Sequence, residues 1–139
     1  MTITRKEWAR TYLFCFACGR SSFTGNSYDK DIGPWRFECH EIPRGVHRQR
    51  ALKHPAAWLQ LCQGLNGGCH EEMSGMPIAV QLALKKRADP EHYDREAVNR
   101  LRRRAPDAVT EAEVDEVLGW LEEGATVEEC RARLEETSE

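Results

Sequence analysis

The chain has 139 residues, 40% of them hydrophobic and 31% charged, which is the length of one domain or of a small core with a helical extension and excludes a large multidomain enzyme. No apolar run approaches the roughly 20 residues of a membrane span, and MTITRKEWARTY is not followed by the apolar core of a secretory signal, so a cytoplasmic location is expected. Residues 111–139 hold eleven acidic residues and two arginines, so the net charge of -3 conceals a basic body and an acidic tail. A basic body suits a polyanion such as nucleic acid, and the acidic tail suits a solvated helical face.

In chain order, the first feature is Cys15-Phe16-Ala17-Cys18 followed by Gly19, a tight turn that aims two thiols at one point. The polar loop SSFTGNSYDKDIGP is rich in turn residues. RFECHEI then reads as a short strand ending at Pro43, PRGVHRQRALKHP as a basic connection, and AAWLQLC as a second strand or the approach to one, which implies a hairpin-like pair. In LCQGLNGGCH, Cys62 and Cys69 form a second cysteine pair whose wide spacing is closed by Gly64, Gly67 and Gly68. HEEMSGM predicts one or two helical turns, with Glu71 and Glu72 at the positive end.

From Pro77 the pattern is helical. Residues 78, 80, 82 and 84 alternate as in a strand, but the length and the strong helix formers of PIAVQLALKKRADP favour a helix that ends before Asp89-Pro90. PEHYDREAVNRLRRRAP places Tyr93, Ala97 and Leu101 on one helical face. Thr110 with Glu113 and Thr126 with Glu129 are capping boxes that open helices over about 111–123 and 127–136, separated at Gly124. The acidic second helix would be repelled by phosphate, so these helices are expected to pack on the body or on a protein partner.

Six cysteines in a reducing compartment point to metal before disulfide. Cys15, Cys18, Cys62 and Cys69 predict a closed, structural four-thiolate zinc site, the alternative being free buried thiols. Cys130, in a helical pattern far from the others, reads as a small core residue. Two histidines, one between the pairs and one just after the second, form a second constellation. His40 ends a strand, where a histidine can act as a general base, and His70 opens the following helix, where it can hold a divalent ion. Phosphodiester hydrolysis needs both. Arg44, Arg48, Arg50 and Lys53 crowd the intervening loop and would meet phosphates without regard to base identity. Arg100, Arg102, Arg103 and Arg104, with Lys85, Lys86 and Arg87, form an auxiliary basic surface.

CFAC, CHEIPRG and LCQGLNGGCHEEM resemble the HNH nuclease family, whose ββα-metal motif is commonly framed by two cysteine pairs. The resemblance covers residues 15 to about 75, and HEIPRGVHRQRALKHPAAWLQLC looks like small HNH proteins of phages and prophages. It implies that His40 is the general base and His70 a ligand of the catalytic metal. Where the family places a metal-binding Asp or His before the base, this chain has Cys39, a soft donor that would favour manganese or zinc over magnesium. Where the family has an asparagine that orients the base, it has Ala57. The resemblance therefore predicts an α+β protein, with a zinc-stapled ββα-metal core over 1–77 and a helical C-terminal extension over 78–139. The protein it implies acts on DNA with a structural zinc and a catalytic Mg2+, Mn2+ or Zn2+, in a bacterial or phage-infected host cell. The competing expectation, motivated by Cys39 and Ala57, is a non-catalytic zinc-bound adaptor for nucleic acid or protein that keeps the fold and has lost the chemistry.

Overall fold

The computed structural model describes residues 3–22 and 27–137 and has a mixed α+β architecture, in which a three-stranded antiparallel sheet is packed among helices. Residues 23–26, within the polar loop, lie outside the described residues. Helix α1 (Arg5–Thr11) starts at Thr4, whose hydroxyl accepts the Glu7 backbone N–H. Strand β1 (Ser27–Asp29) pairs with β2 (Gly33–Glu41), and β2 pairs with β3 (Trp58–Gly64) in a register that sets His40 opposite Leu59 and Glu38 opposite Leu61. Neither α1 nor β1 is announced by the sequence. The β2–β3 pair is, although its connection folds into a short helix, α2 (Arg48–Ala51), held by the Trp58 indole N–H donating to Ala51 O at 2.9 Å.

The remaining helices follow: α3 (Cys69–Met73), α4 (Ile78–Ala88), α5 (Arg95–Leu101), α6 (Glu111–Glu122) and α7 (Val127–Thr137). Every residue from Ala79 to Lys85 is buried. That explains the absence of a one-sided helical pattern there, because a helix enclosed on all sides has no polar face to mark its period. The chain has one hydrophobic core drawn from both halves of the sequence, including Trp8, Trp58, Leu59, Leu61, Val80, Leu82, Leu84, Val114 and Val117. Residues on both sides of position 77 contribute to this core.

A buried polar network fixes α4 against α1 and β3. Lys85 Nζ lies 2.8 Å from Asp89 Oδ2 and donates to Trp58 O at 2.9 Å, and the Trp8 indole N–H donates to the same Asp89 oxygen at 2.8 Å. Each buried charge is therefore both paired and hydrogen-bonded, as burial demands. Both capping boxes form as the sequence predicts: Thr110 and Thr126 accept the backbone N–H of Glu113 and Glu129, whose carboxylates bond back. Gly124, at φ 102°, breaks the chain between α6 and α7, and Cys130 is fully buried in the core. The acidic α6 packs on α4, with Lys86 bridging Glu111 and Asp115. Among the described residues no helix is long and apolar enough to cross a membrane.

Helix α5 ends in an unusual way. The Arg104 N–H reaches Asn99 O and the Arg103 N–H reaches Arg100 O, both at 2.9 Å, which is the glycine-type helix stop, but the left-handed position is Arg103 at φ 59°. Arg103→Gly is expected to raise stability by up to about 1 kcal/mol, seen as a higher Tm, because glycine avoids the Cβ clash of the left-handed region.

Candidate active site and metal centre

Four sulfurs converge at one end of β3. The Sγ atoms of Cys15, Cys18, Cys62 and Cys69 all lie within 4.8 Å of one another, a set that could hold a metal ion. Cys18 Sγ and Cys62 Sγ are 3.7 Å apart, matching the about 3.8 Å edge of a tetrahedron built on 2.3 Å zinc–thiolate bonds. Local backbone explains the convergence. After Cys18 the chain reverses at Gly19, φ 83°, whose N–H donates to Cys15 O, and Phe16 N–H donates to Gln60 O, which docks the turn on β3.

The second pair is drawn in by its glycines. Gly64 N–H donates to Gly67 O at 2.8 Å, and a Cβ at Gly68 would stand 2.7 Å from Cys62 O, so the six-residue gap closes into a loop that only glycine permits. Cys69 then enters as the first residue of α3. Arg20 Nη1 lies 3.4 Å from both Cys18 Sγ and Cys62 Sγ and offsets thiolate charge. Mutual hydrogen bonding among the four thiols lowers the pKa of Cys18 and Cys62 and raises that of Cys15 and Cys69, so the protein by itself favours ionisation at two of the four.

A cavity of about 260 Å³ opens beside this centre, bordered by His40, Glu41, Arg44, Arg48, His70 and Ser74. The His40 and His70 rings stand 5.3 Å apart, centroid to centroid. His40 is 6% exposed, and burial is the main cause that lowers its pKa to about 4, so the ring is neutral at pH 7. Its Nε2 lies 2.8 Å from Gln81 Oε1, and Gln81 Nε2 donates to Met76 O at 3.0 Å and to Met73 O at 3.4 Å. Two carbonyls therefore fix which end of the amide is which. The oxygen faces His40, so His40 Nε2 carries the proton and Nδ1 keeps the lone pair of a base.

His70 is oriented by a carboxylate. Its Nδ1 lies 2.7 Å from Glu38 Oε1, and that contact, with Arg36 behind it, lowers the Glu38 pKa. The arrangement leaves His70 Nε2 available to a cation, in the way metal-ligating histidines are commonly supported. Glu38 and His40 share one face of β2 because side chains alternate along a strand. By the same alternation Cys39 sits on the opposite face from the histidines, beside its pairing partner Gln60, whose amide donates to Ala9 O and Tyr12 O of α1 and the segment after it. Burial raises the Cys39 thiol, and its side chain does not join His70. The expectation that Cys39 helps hold the catalytic ion is thus corrected by the pleat.

The other sequence candidates separate. Arg44 and Arg48 border the cavity, Arg48 paired with the buried Glu41 at 2.8 Å, which Arg5 pairs from its other oxygen at 2.9 Å. Lys53 lies in a different hollow beside Arg5 and Trp58, and Arg50 is exposed on α2 without bordering the cavity. Ala57 is fully buried at the entrance to β3, where its carbonyl accepts the Ile42 N–H at 2.8 Å. Gln81 and the orienting role of Glu38 are not foreseen from the sequence. The only signal for Gln81 is a polar residue inside an otherwise apolar helical run. The chain matches no family model, no curated protein and no solved structure.

Proposed function

We propose that the chain is a metal-dependent HNH-type endonuclease that hydrolyses phosphodiester bonds in DNA, on a ββα-metal core stapled by zinc. The observation that carries the reading is the meeting in one cavity of a neutral, amide-oriented His40 with a carboxylate-oriented His70. His40 Nδ1 takes the proton of the attacking water, while Gln81 keeps the ring in the tautomer that can do so. His70 Nε2, with Glu38 orienting the ring through Nδ1, would hold a divalent ion, which would supply charge stabilisation at the phosphate and leaving oxygen. Substrate phosphate and water would complete the shell of such an ion. Arg44 positions the phosphate, and Arg48 contributes less because its charge is already paired. The four-cysteine centre suits zinc, whose closed tetrahedral thiolate sites are structural and leave no position for water.

Incubation with supercoiled plasmid under magnesium, manganese or zinc tests the reading. Wild type is expected to convert the plasmid to open circles. His70→Ala is expected to need more of the activating metal, with part of the rate recovered as its concentration rises. A wild type inert under all three metals, yet still binding DNA, would replace the enzyme with the non-catalytic adaptor.

A further inference from the structure

A second hollow, of about 360 Å³, adjoins the catalytic one and is lined by Arg44, His47, Arg102, Arg104, Arg131 and Glu135 among others. Arg131 is taken up by the carboxylates of its own helix, being paired with Glu128 and 3.9 Å from Glu135. Arg44 uses one guanidinium nitrogen on Ser74 O. Among the described residues, Arg44, Arg102 and Arg104 have no carboxylate within 4.0 Å. Burial lowers the Arg102 pKa first, and the charges of Arg104 and Arg44 lower it further. Three mutually repelling cations held in one concavity form a strong positive field that a bound anion relieves.

The chain maintains this crowding against its own preferences. Arg102 and Arg104 flank the left-handed Arg103, where glycine would be less strained, so the helix stop turns arginines towards the hollow. Arg44 borders both cavities, so whatever binds in one is continuous with the other. We propose that Arg44, Arg102 and Arg104 form a subsite for a backbone phosphate of the DNA strand, next to the phosphate at His40 and His70. The proposal rests on the nuclease reading for its substrate, and on the arginine cluster for its place. Planar guanidinium forks match phosphate oxygens, and the wide, open hollow suits a strand passing through rather than a buried ligand. It also gives the C-terminal segment a role in substrate binding, through its residues before α6.

The test is the salt dependence of duplex binding, followed by fluorescence anisotropy in a His40→Ala background so that no cleavage occurs. Arg102→Gln with Arg104→Gln keeps the side-chain stems and removes two charges; Lys6→Gln with Lys30→Gln removes two exposed charges elsewhere and is the control. The arginine pair is expected to weaken binding about tenfold and to flatten the plot of log affinity against log salt by about 1 for each phosphate that is no longer neutralised. The lysine pair is expected to leave the slope unchanged. Equal effects in the two pairs, an unchanged slope in the arginine pair, or no duplex binding by the parent protein would each overturn the subsite. A protein that shows the arginine-specific loss but whose wild type never nicks plasmid would overturn the nuclease reading and leave the subsite standing. If instead the arginine pair nicks with raised KM and unchanged kcat, both readings are supported.

Discussion

Stripping the metal from the four-cysteine centre with a chelator is expected to unfold the protein at ordinary temperature. The free energy of binding zinc at four thiolates is about 10–16 kcal/mol, comparable with the whole stability of a small domain, about 5–15 kcal/mol. An ion held by these four cysteines would tie together three separate elements: the turn after α1, strand β3 and the first residue of α3. Cys15→Ser and Cys69→Ser should each lose the metal and the cooperative melting transition together. Cys130→Ser, buried in the core and outside the four-sulfur set, should cost only about 1–3 kcal/mol and keep the metal. Elemental analysis beside circular-dichroism melts measures all four proteins. A metal-free wild type with full thermal stability would end the assignment. Because His70 follows Cys69 directly on α3, loss of the centre should also remove any nuclease activity, whatever ion is supplied.

Replacing the base is expected to have the largest effect on the reaction. His40→Ala should lower the cleavage rate by about 10²–10⁴ while metal content and duplex affinity remain near wild type, since a base acts only as water attacks. Gln81→Leu separates orientation from proton transfer. It removes the acceptor that fixes His40 Nε2–H, so the ring samples both tautomers and kcat falls with little change in KM. The nitrogen chemical shifts of His40 report the tautomer directly: wild type should show a protonated Nε2, and Gln81→Leu a mixture. An unmixed tautomer in the variant would deny Gln81 the positioning role, even if activity were lost for reasons of packing. Ala57→Asn, by contrast, should gain nothing. Position 57 is fully closed and faces the turn into β3, so an amide there loses its water and destabilises the fold by about 1–3 kcal/mol.

Features that depend on neighbours a few residues away are legible in the chain. The turn at Cys15 and Cys18, the glycines between Cys62 and Cys69, both capping boxes and the break at Gly124 follow from backbone sterics and short-range hydrogen bonds. Their residues therefore announce them. The alternation in RFECHEI likewise marks a strand, and the apolar run AAWLQLC marks its partner. Which side chains meet across distance is a different matter, and only folding settles it. That Glu38 and His40 share a face of β2 while Cys39 points away follows from the strand period alone, but the meeting of that face with His70 on α3 does not. The residue that orients His40 is Gln81, 41 positions further on, supplied by a helix whose burial on every side erases its periodic signal. In the same way Arg44 joins Arg102 and Arg104 only because α5 ends beside the β2–β3 connection. A strand or a cap is written in its own residues, whereas a site is made where separate elements pack, and packing is settled by the whole core at once.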